Sequence, residues 1–343
     1  MRKMNRLTFL LSGEHPTLPT SEVKGAIEAE NFDYEVIEEL DQVLTLKTEA
    51  DPMILSRRLG MCHWIGEHFC SAQTDIIDSL ASSDLVDFLP QSKSIAVRVR
   101  RIKNYLPEVD NQELAREIAD RILEDFNYEI DLETPDNEIA VLLTEGKYVL
   151  ALILARIDRA EIEERSPPKR AAVHPTTLQP NFARALVNLA RTPREGTFLD
   201  PFCGVGGILL EAGLMGAEPL GVDMDSKQIE GARENLEEAG IGKFELRQED
   251  ARELEIGEVD AIATDPPYGR QASTGGLELK ELYESTMPVL ADVLKSGRYL
   301  CISPPLELDL EEITIDLSLD PVERHQQRVH KSLSRNIYVF RRS

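Results

Sequence analysis

A short apolar run, Thr197-Phe198-Leu199-Asp200, leads directly into Pro201-Phe202-Cys203-Gly204-Val205-Gly206-Gly207 and then into a helix-forming stretch from Ile208 to Gly216. Glycines at such a junction let the backbone approach a ligand closely and leave N–H groups exposed at a helix start. The alternation continues with a strand over 219–223, then a helix capped by Asp225 or Ser226 and stopped by Gly240. Strands over 244–247 and 260–264, a helix over 277–294 and a strand over 298–303 follow. Strands separated by helices imply a parallel, Rossmann-like α/β sheet. Two tail segments, 312–317 and 335–340, lack an intervening helix and are expected to form an antiparallel hairpin at the sheet edge.

Residues 1–165 carry no such alternation. Strands are expected over 6–11, 43–47, 95–101, 139–143 and 148–157, with helices over 21–30, 53–59, 76–80 and 112–126. That is an α+β region. The charged stretch 161–168, ending Ser166-Pro167-Pro168, reads as the linker between it and the α/β part. A length of 343 residues suits two or three domains. No apolar stretch reaches the roughly 18 residues of a membrane span. The basic start is followed only by Phe9-Leu10-Leu11, too little for a signal peptide, so a cytoplasmic protein is expected.

The four cysteines, Cys62, Cys70, Cys203 and Cys301, show no C-x-x-C spacing, and no metal site is expected even around Cys62-His63-Trp64-Ile65-Gly66-Glu67-His68-Phe69-Cys70. The net charge of −24 argues against nucleic acid until its distribution is considered. Three windows are free of acid: 88–107 with Lys93, Arg98, Arg100, Arg101 and Lys103; 165–194 with Arg165, Lys169, Arg170, Arg184, Arg191 and Arg194; and 324–343 with Arg324, Arg328, Lys331, Arg335, Arg341 and Arg342. Basic patches on an acidic body fit a polyanion partner, with the surrounding acid limiting non-specific adhesion.

Acids sit at successive strand ends in the α/β part. Asp223 closes the second strand, 19 residues after Gly204, where a carboxylate commonly accepts ribose hydroxyls. Asp200 stands just before the glycines, suited to a ligand's ammonium and repellent to a pyrophosphate. Asp250, in Gln248-Glu249-Asp250-Ala251 after the third strand, lies where an adenine amino group is expected. Three acids around one pocket favour a cationic, zwitterionic nucleoside, S-adenosylmethionine, over a dinucleotide.

At the end of the fourth strand stands Asp265-Pro266-Pro267-Tyr268. An exocyclic amine on a nucleobase is a poor nucleophile because its lone pair is delocalised into the ring. Two acceptors aimed at its hydrogens, the Asp265 carboxylate and the Pro266 carbonyl, favour a pyramidal nitrogen and direct the lone pair at a methyl donor. Tyr268 is expected to stack on the base. A paired base is out of reach of such a site and must be flipped out or unpaired. An Asp265 turned inward into a salt bridge, remote from any adenosyl site, would refute this assignment.

With these residues in view, the chain resembles the class I amino-methylating methyltransferases. More narrowly it resembles the archaeal and eukaryotic tRNA guanosine-10 N2-methyltransferases that carry an N-terminal RNA-binding THUMP domain. The matching residues include 95–101, Asp131-Leu132-Glu133-Thr134-Pro135-Asp136, Ala155-Arg156-Ile157-Asp158-Arg159 and His174-Pro175-Thr176-Thr177-Leu178-Gln179-Pro180. They extend through Asp200–Gly204 and 265–268 to Arg328-Val329-His330-Lys331-Ser332-Leu333. The resemblance implies a ferredoxin-like lead-in over 1–72, a THUMP domain over 73–160, a linker over 161–175 and the Rossmann-like methyltransferase domain over 176–343. It implies S-adenosylmethionine held by His174, Pro175, Thr177, Asp200, Pro201, Cys203, Gly204, Gly206, Asp223, Met224, Asp250, Ala251 and Asp265. Arg170, Arg328, Lys331 and Arg335 would join the 93–103 cluster on tRNA. Val205 departs from the hydroxyl residue that relatives often carry. Eukaryotic relatives need a small activating subunit, which leaves room for a zinc-ribbon-like partner.

Three other readings compete. An adenine-N6 methyltransferase of RNA or DNA shares Asp-Pro-Pro-Tyr, and a nicotinamide-linked oxidoreductase shares the glycine turn but leaves Asp200 and Asp265 unexplained. The last is an RNA-binding protein on an inactive methyltransferase fold. A protein glutamine methyltransferase would carry Asn at 265.

Overall fold

The computed structural model describes residues 5–74, 76–81, 89, 93–125, 127–174, 177–267, 279–330 and 333–343. The chain divides into two compact units, one of residues 1–16, 32–56 and 62–157, the other of 17–31, 57–61 and 158–343.

In the first unit, eight strands form one sheet: β1 (Asn5–Leu11), β2 (Tyr34–Leu40), β3 (Val43–Thr48), β4 (Cys62–Ala72), β5 (Ser94–Arg101), β6 (Glu129–Ile130), β7 (Asn137–Thr144) and β8 (Lys147–Arg156). Their order is β2-β3-β1-β4-β8-β7-β5-β6, so a single sheet runs across the 1–72 and 73–160 segments. The helix Asn111–Asp125 buries Leu114, Ile118 and Ile122, one helical face, in a core with Ile95, Ile139 and Val141. Sequence reading misses β2 and β4. β2 is a glutamate-rich edge, mostly exposed and paired only with β3, and charge is how an edge strand resists pairing with other chains. β4 has no clean alternation and carries Gly66, whose added Cβ would stand 2.6 Å from the Leu152 carbonyl oxygen. That glycine marks a register shift against β8.

The second unit holds the α/β sheet: β9 (Thr197–Asp200), β10 (Glu218–Asp223), β11 (Glu245–Gln248), β12 (Val259–Thr264), β13 (Leu294–Ile302), β14 (Leu319–His330) and β15 (Leu333–Arg342). The order is β11-β10-β9-β12-β13-β15-β14, parallel through β13 and antiparallel for the last two strands. The tail hairpin forms as expected, but its first strand is 319–330 rather than 312–317, which instead begins in the short helix Leu310–Ile313. β15 lies between β13 and β14, with Ile337, Tyr338, Val339 and Phe340 all buried.

Two early segments belong to this unit. The helix Leu18–Ala29 packs on the helix Pro180–Leu189, and Leu18 and Met61 are part of its core. Glu22, fully buried, joins them: its carboxylate accepts from the Gly60 N–H at 2.7 Å, the Met61 N–H at 2.8 Å and the Asn188 side-chain amide at 3.1 Å. Burial pushes the Glu22 carboxyl up to about 7. Its contribution to stability is therefore full below its unfolded value near 4.5 and fades as pH rises through about 7. Glu22→Ala leaves three buried donors unsatisfied and should cost about 3 kcal/mol or more in denaturant unfolding. A loss within half a kilocalorie would show that these donors find other partners.

Candidate active site

The parallel strand order reverses between β9 and β12, which opens a crevice at their carboxyl ends, the usual ligand position in open α/β sheets. β9 delivers Asp200 to that edge, 1% exposed. The turn after it needs glycine twice, since Gly204 has φ +51° and Gly206 φ +78°. It is tied down by the Cys203 N–H on the Val222 carbonyl (2.9 Å) and the Gly206 N–H on the Cys203 carbonyl (2.8 Å), and the helix Gly207–Leu214 begins immediately after. Pro201 and Cys203 are buried, and burial pushes the Cys203 thiol well up, which keeps it protonated.

Asp200 accepts from the Thr264 hydroxyl at 2.7 Å and the Phe202 N–H at 3.2 Å. Burial pushes its carboxyl up to about 7 against those two bonds, and the neighbouring Asp265 and Asp223 charges add to the rise. Asp223, at the end of β10, accepts from the Gly204 N–H and the Asp225 N–H, both at 2.9 Å, and is also raised, chiefly by burial. His174 lies close enough to oppose that rise, in a turn where the Thr177 N–H donates to the His174 carbonyl (2.9 Å) and the His174 N–H to the Thr177 hydroxyl (3.1 Å). Asp250 is bound by the Arg252 guanidinium, which holds its carboxyl below the usual range. Ala251 beside it is buried, while Met224 is 49% exposed. Pro175 and Tyr268 lie outside the described residues.

Asp265 follows β12 directly, and Pro266 is buried. Both Asp265 carboxylate oxygens lie 2.9 Å from Nη1 of Arg335 on β15. The Arg335 side chain is 5% exposed, donates through Nε to Gln327 Oε1 at 2.7 Å, and lies over the Phe182 ring, 4.3 Å from its centroid. Half of the refuting condition set out above is thus met, for Asp265 is salt-bridged. Asp265 stands close enough to Asp200 to raise that carboxyl, beside the glycine turn.

Arg335 therefore leaves the set of residues expected on RNA, because its charge is buried and paired. Arg101 leaves it as well, with its guanidinium spent on the Tyr105 carbonyl (2.7 Å) and Asn111 Oδ1 (2.9 Å). Arg170 turns its guanidinium inward. Lys93, Arg100 and Arg328 are exposed. Arg98 is half-exposed and shared with Glu138 (3.3 Å) and the Leu132 carbonyl (2.8 Å), and Lys103 pairs with Asp41 at 2.6 Å. Lys331 lies outside the described residues. Sequence reading missed Thr264, Phe182, Gln327 and Ser303, whose N–H donates to the Thr264 carbonyl at 3.1 Å.

Comparison with known proteins now bears on this geometry. Residues 167–337 match the family described as RMKL-like, methyltransferase domain, and residues 74–152 match the THUMP domain. A tRNA (guanine(10)-N2)-dimethyltransferase of Methanothermobacter thermautotrophicus is 38% identical over 98% of this chain and 99% of its own length. The chain belongs to the tRNA (guanine(10)-N2)-dimethyltransferase family. A member from Pyrococcus abyssi is 33% identical over 95% of this chain and 96% of its own length. Among solved structures, TrmN from Thermus thermophilus shares the fold with a TM-score of 0.53 at 20% identity, over 98% of this chain and 100% of that one. SMU.472, complexed with SAH, gives 0.51 at 16% identity over 100% and 99%.

As a member of this family the chain is a class I, S-adenosylmethionine-dependent methyltransferase. The residues present fit that cofactor. Among the described residues, Gln228 Oε1 and the two terminal nitrogens of Arg170 are buried without hydrogen-bond partners, and burial raises the carboxyls of Asp200 and Asp223, as a missing counter-charge would. No helix among the described residues is long and apolar enough to cross a membrane.

Proposed function

We propose that this enzyme methylates the exocyclic N2 of a guanosine in tRNA, at position 10 as the relatives' names say of them, giving mono- or dimethylguanosine. The observation that carries the reading is the convergence of Asp200, Asp223 and Asp265 at the carboxyl ends of β9, β10 and β12, beside a glycine turn. S-adenosylmethionine, when bound, supplies a methyl on a positive sulfonium. Asp200 would meet its ammonium and Asp223 its ribose, with Gly204, Gly206, His174 and Thr177 completing the walls. Asp265 and the Pro266 carbonyl would accept the two N–H bonds of the guanine amine, and Tyr268 would stack on the base. Catalysis is then mostly positioning, with little acid–base work.

Unmodified tRNA transcript incubated with labelled cofactor, followed by nucleoside mass analysis, tests this directly. N2-methylated guanosine is expected. N6-methyladenosine would favour the adenine reading, and binding without transfer would favour an inactive fold. A zinc-ribbon-like subunit enters the proposal only as an additive to be tried in the same assay.

Asp200 links cofactor binding to pH. Its carboxyl, raised to about 7, must ionise to meet an ammonium, so binding expels a proton wherever the free enzyme is protonated. Affinity for S-adenosylmethionine should fall below pH 7, approaching about tenfold per pH unit. Calorimetry in buffers of different ionisation heat reads the released proton, and identical heats at pH 6.5 would remove Asp200 from this role.

Lys93 and Arg100 are exposed and make no ion pair among the described residues, and we assign them to tRNA phosphate. Charge reversal of both should weaken tRNA binding about tenfold and lower the salt slope by about 2. An unchanged slope would place phosphate elsewhere.

A further inference from the structure

We propose that Arg170 binds the α-carboxylate of the cofactor's amino-acid arm, opposite Asp200 and its ammonium. The inference rests on the methyltransferase assignment and extends it to a residue that charge alone had placed on RNA.

Arg170 follows a single 3-10 turn, Pro167–Lys169, and its side chain runs inward. Its Nε donates to the Arg165 carbonyl at 2.6 Å. Nη1 and Nη2 are buried, and neither has a hydrogen-bond partner among the described residues. A guanidinium carries five N–H donors in a rigid fork, and a buried charged donor left unsatisfied is among the more costly arrangements a fold can hold. Burial lowers the Arg170 pKa, as expected of a cation lacking a counter-charge.

The nearest acid does not supply one. Glu211, fully buried, already gives one oxygen to Arg165 Nε at 3.0 Å and the other to Arg184 Nε at 2.8 Å. Arg165 has a second carboxylate in Glu161 at 3.0 Å, whereas Arg170 makes no ion pair among the described residues. The Arg170 guanidinium lies beside the glycine turn. A Cβ built on Gly207, the first residue of the helix Gly207–Leu214, would stand 3.0 Å from Arg170 Nη1 and 3.6 Å from the Thr177 methyl. The unfilled fork therefore lies against the segment expected to hold the cofactor, and planar bidentate pairing with a carboxylate is what this group does best. A tRNA phosphate is a poor alternative, because Asp200 and Asp223 would repel a polyanion.

The test compares S-adenosylmethionine with its decarboxylated form, which keeps the sulfonium and the amine and lacks only the carboxylate, by calorimetry on the full chain. Wild type should prefer the carboxylate-bearing ligand by about 30-fold. Arg170→Met should weaken S-adenosylmethionine by a similar factor and leave the decarboxylated ligand within about threefold. Arg170→Lys should recover part of the preference. Equal weakening of both ligands, or of neither, overturns the proposal. Should the variants fail to fold, the wild-type comparison decides alone, a preference below about threefold counting against Arg170. If wild type binds neither ligand, the cofactor assignment falls first.

Discussion

Asp265→Ala is expected to reduce turnover on tRNA by at least about 100-fold, the usual consequence of removing one group that stabilises the reacting centre. Affinity for S-adenosylhomocysteine should stay within about threefold, because Asp265 is one of many residues expected at the cofactor pocket and its carboxylate is assigned chiefly to the amine of the base. The salt bridge complicates the experiment usefully. Alanine leaves Arg335 buried without its main counter-charge, so the variant should also melt at a lower temperature, and the loss of rate must be read on folded protein. Asp265→Asn supplies the control. It keeps one acceptor oxygen for an amine hydrogen and gives up the ion pair, so it should fall between wild type and alanine, about tenfold slow. An alanine variant that is folded and active within a few-fold removes Asp265 from the chemistry, and the amine-holding picture with it.

The catalytic sheet was legible for local reasons. Thr197–Asp200, Glu218–Asp223 and Val259–Thr264 are short apolar runs bounded by turn residues, and their acids announce the strand ends. β14 was not legible, because Leu319–His330 mixes charged and apolar residues without alternation and is held by pairing with β15 along most of its length. Nor does anything local in Leu18–Ala29 say that this helix packs on Pro180–Leu189, since helix pairing depends on surfaces far apart in sequence. The consequence is practical. A truncation at residue 160, meant to remove only the RNA-binding part, would strip Leu18, Met61 and the Glu22 latch from the catalytic unit. Point substitutions on β5 are the sounder way to separate the two activities.

The charge windows failed in a similar way, by treating every cation as solvent-facing. Arg101 and Arg170 spend bonds on nearby backbone, and Arg335 is drawn inside because β15 enters the sheet next to β13, a placement that sequence distance conceals. Lys93 and Arg100 remain outside because they are exposed near the start and end of β5. Net charge by window thus supplies candidate cations, but it is burial and hydrogen bonding that separate those proposed for RNA from those drawn into the interior.

Arg335 is best understood as a positioning residue. It touches Asp265 through both carboxylate oxygens and is itself fixed by Gln327 on β14 and the Phe182 ring beneath it. The pair holds the carboxylate in one orientation. Arg335→Met keeps apolar contact with Phe182 and removes the pair, and it should lower kcat about 30-fold, since small errors in aim at a reacting centre are costly. The KM for S-adenosylmethionine should hardly move. Arg335→Lys retains the charge but neither the planar stack nor the fixed fork, so it should restore part of the rate. A purely structural arginine would show a different pattern, with rate loss following thermal stability across both variants and no rescue at equal stability. The opposite sign is the sharpest outcome. If Arg335→Met turns over faster than wild type, the salt bridge restrains Asp265 in a resting pose that tRNA must break, and the guanidinium hinders the reaction it was assigned to support.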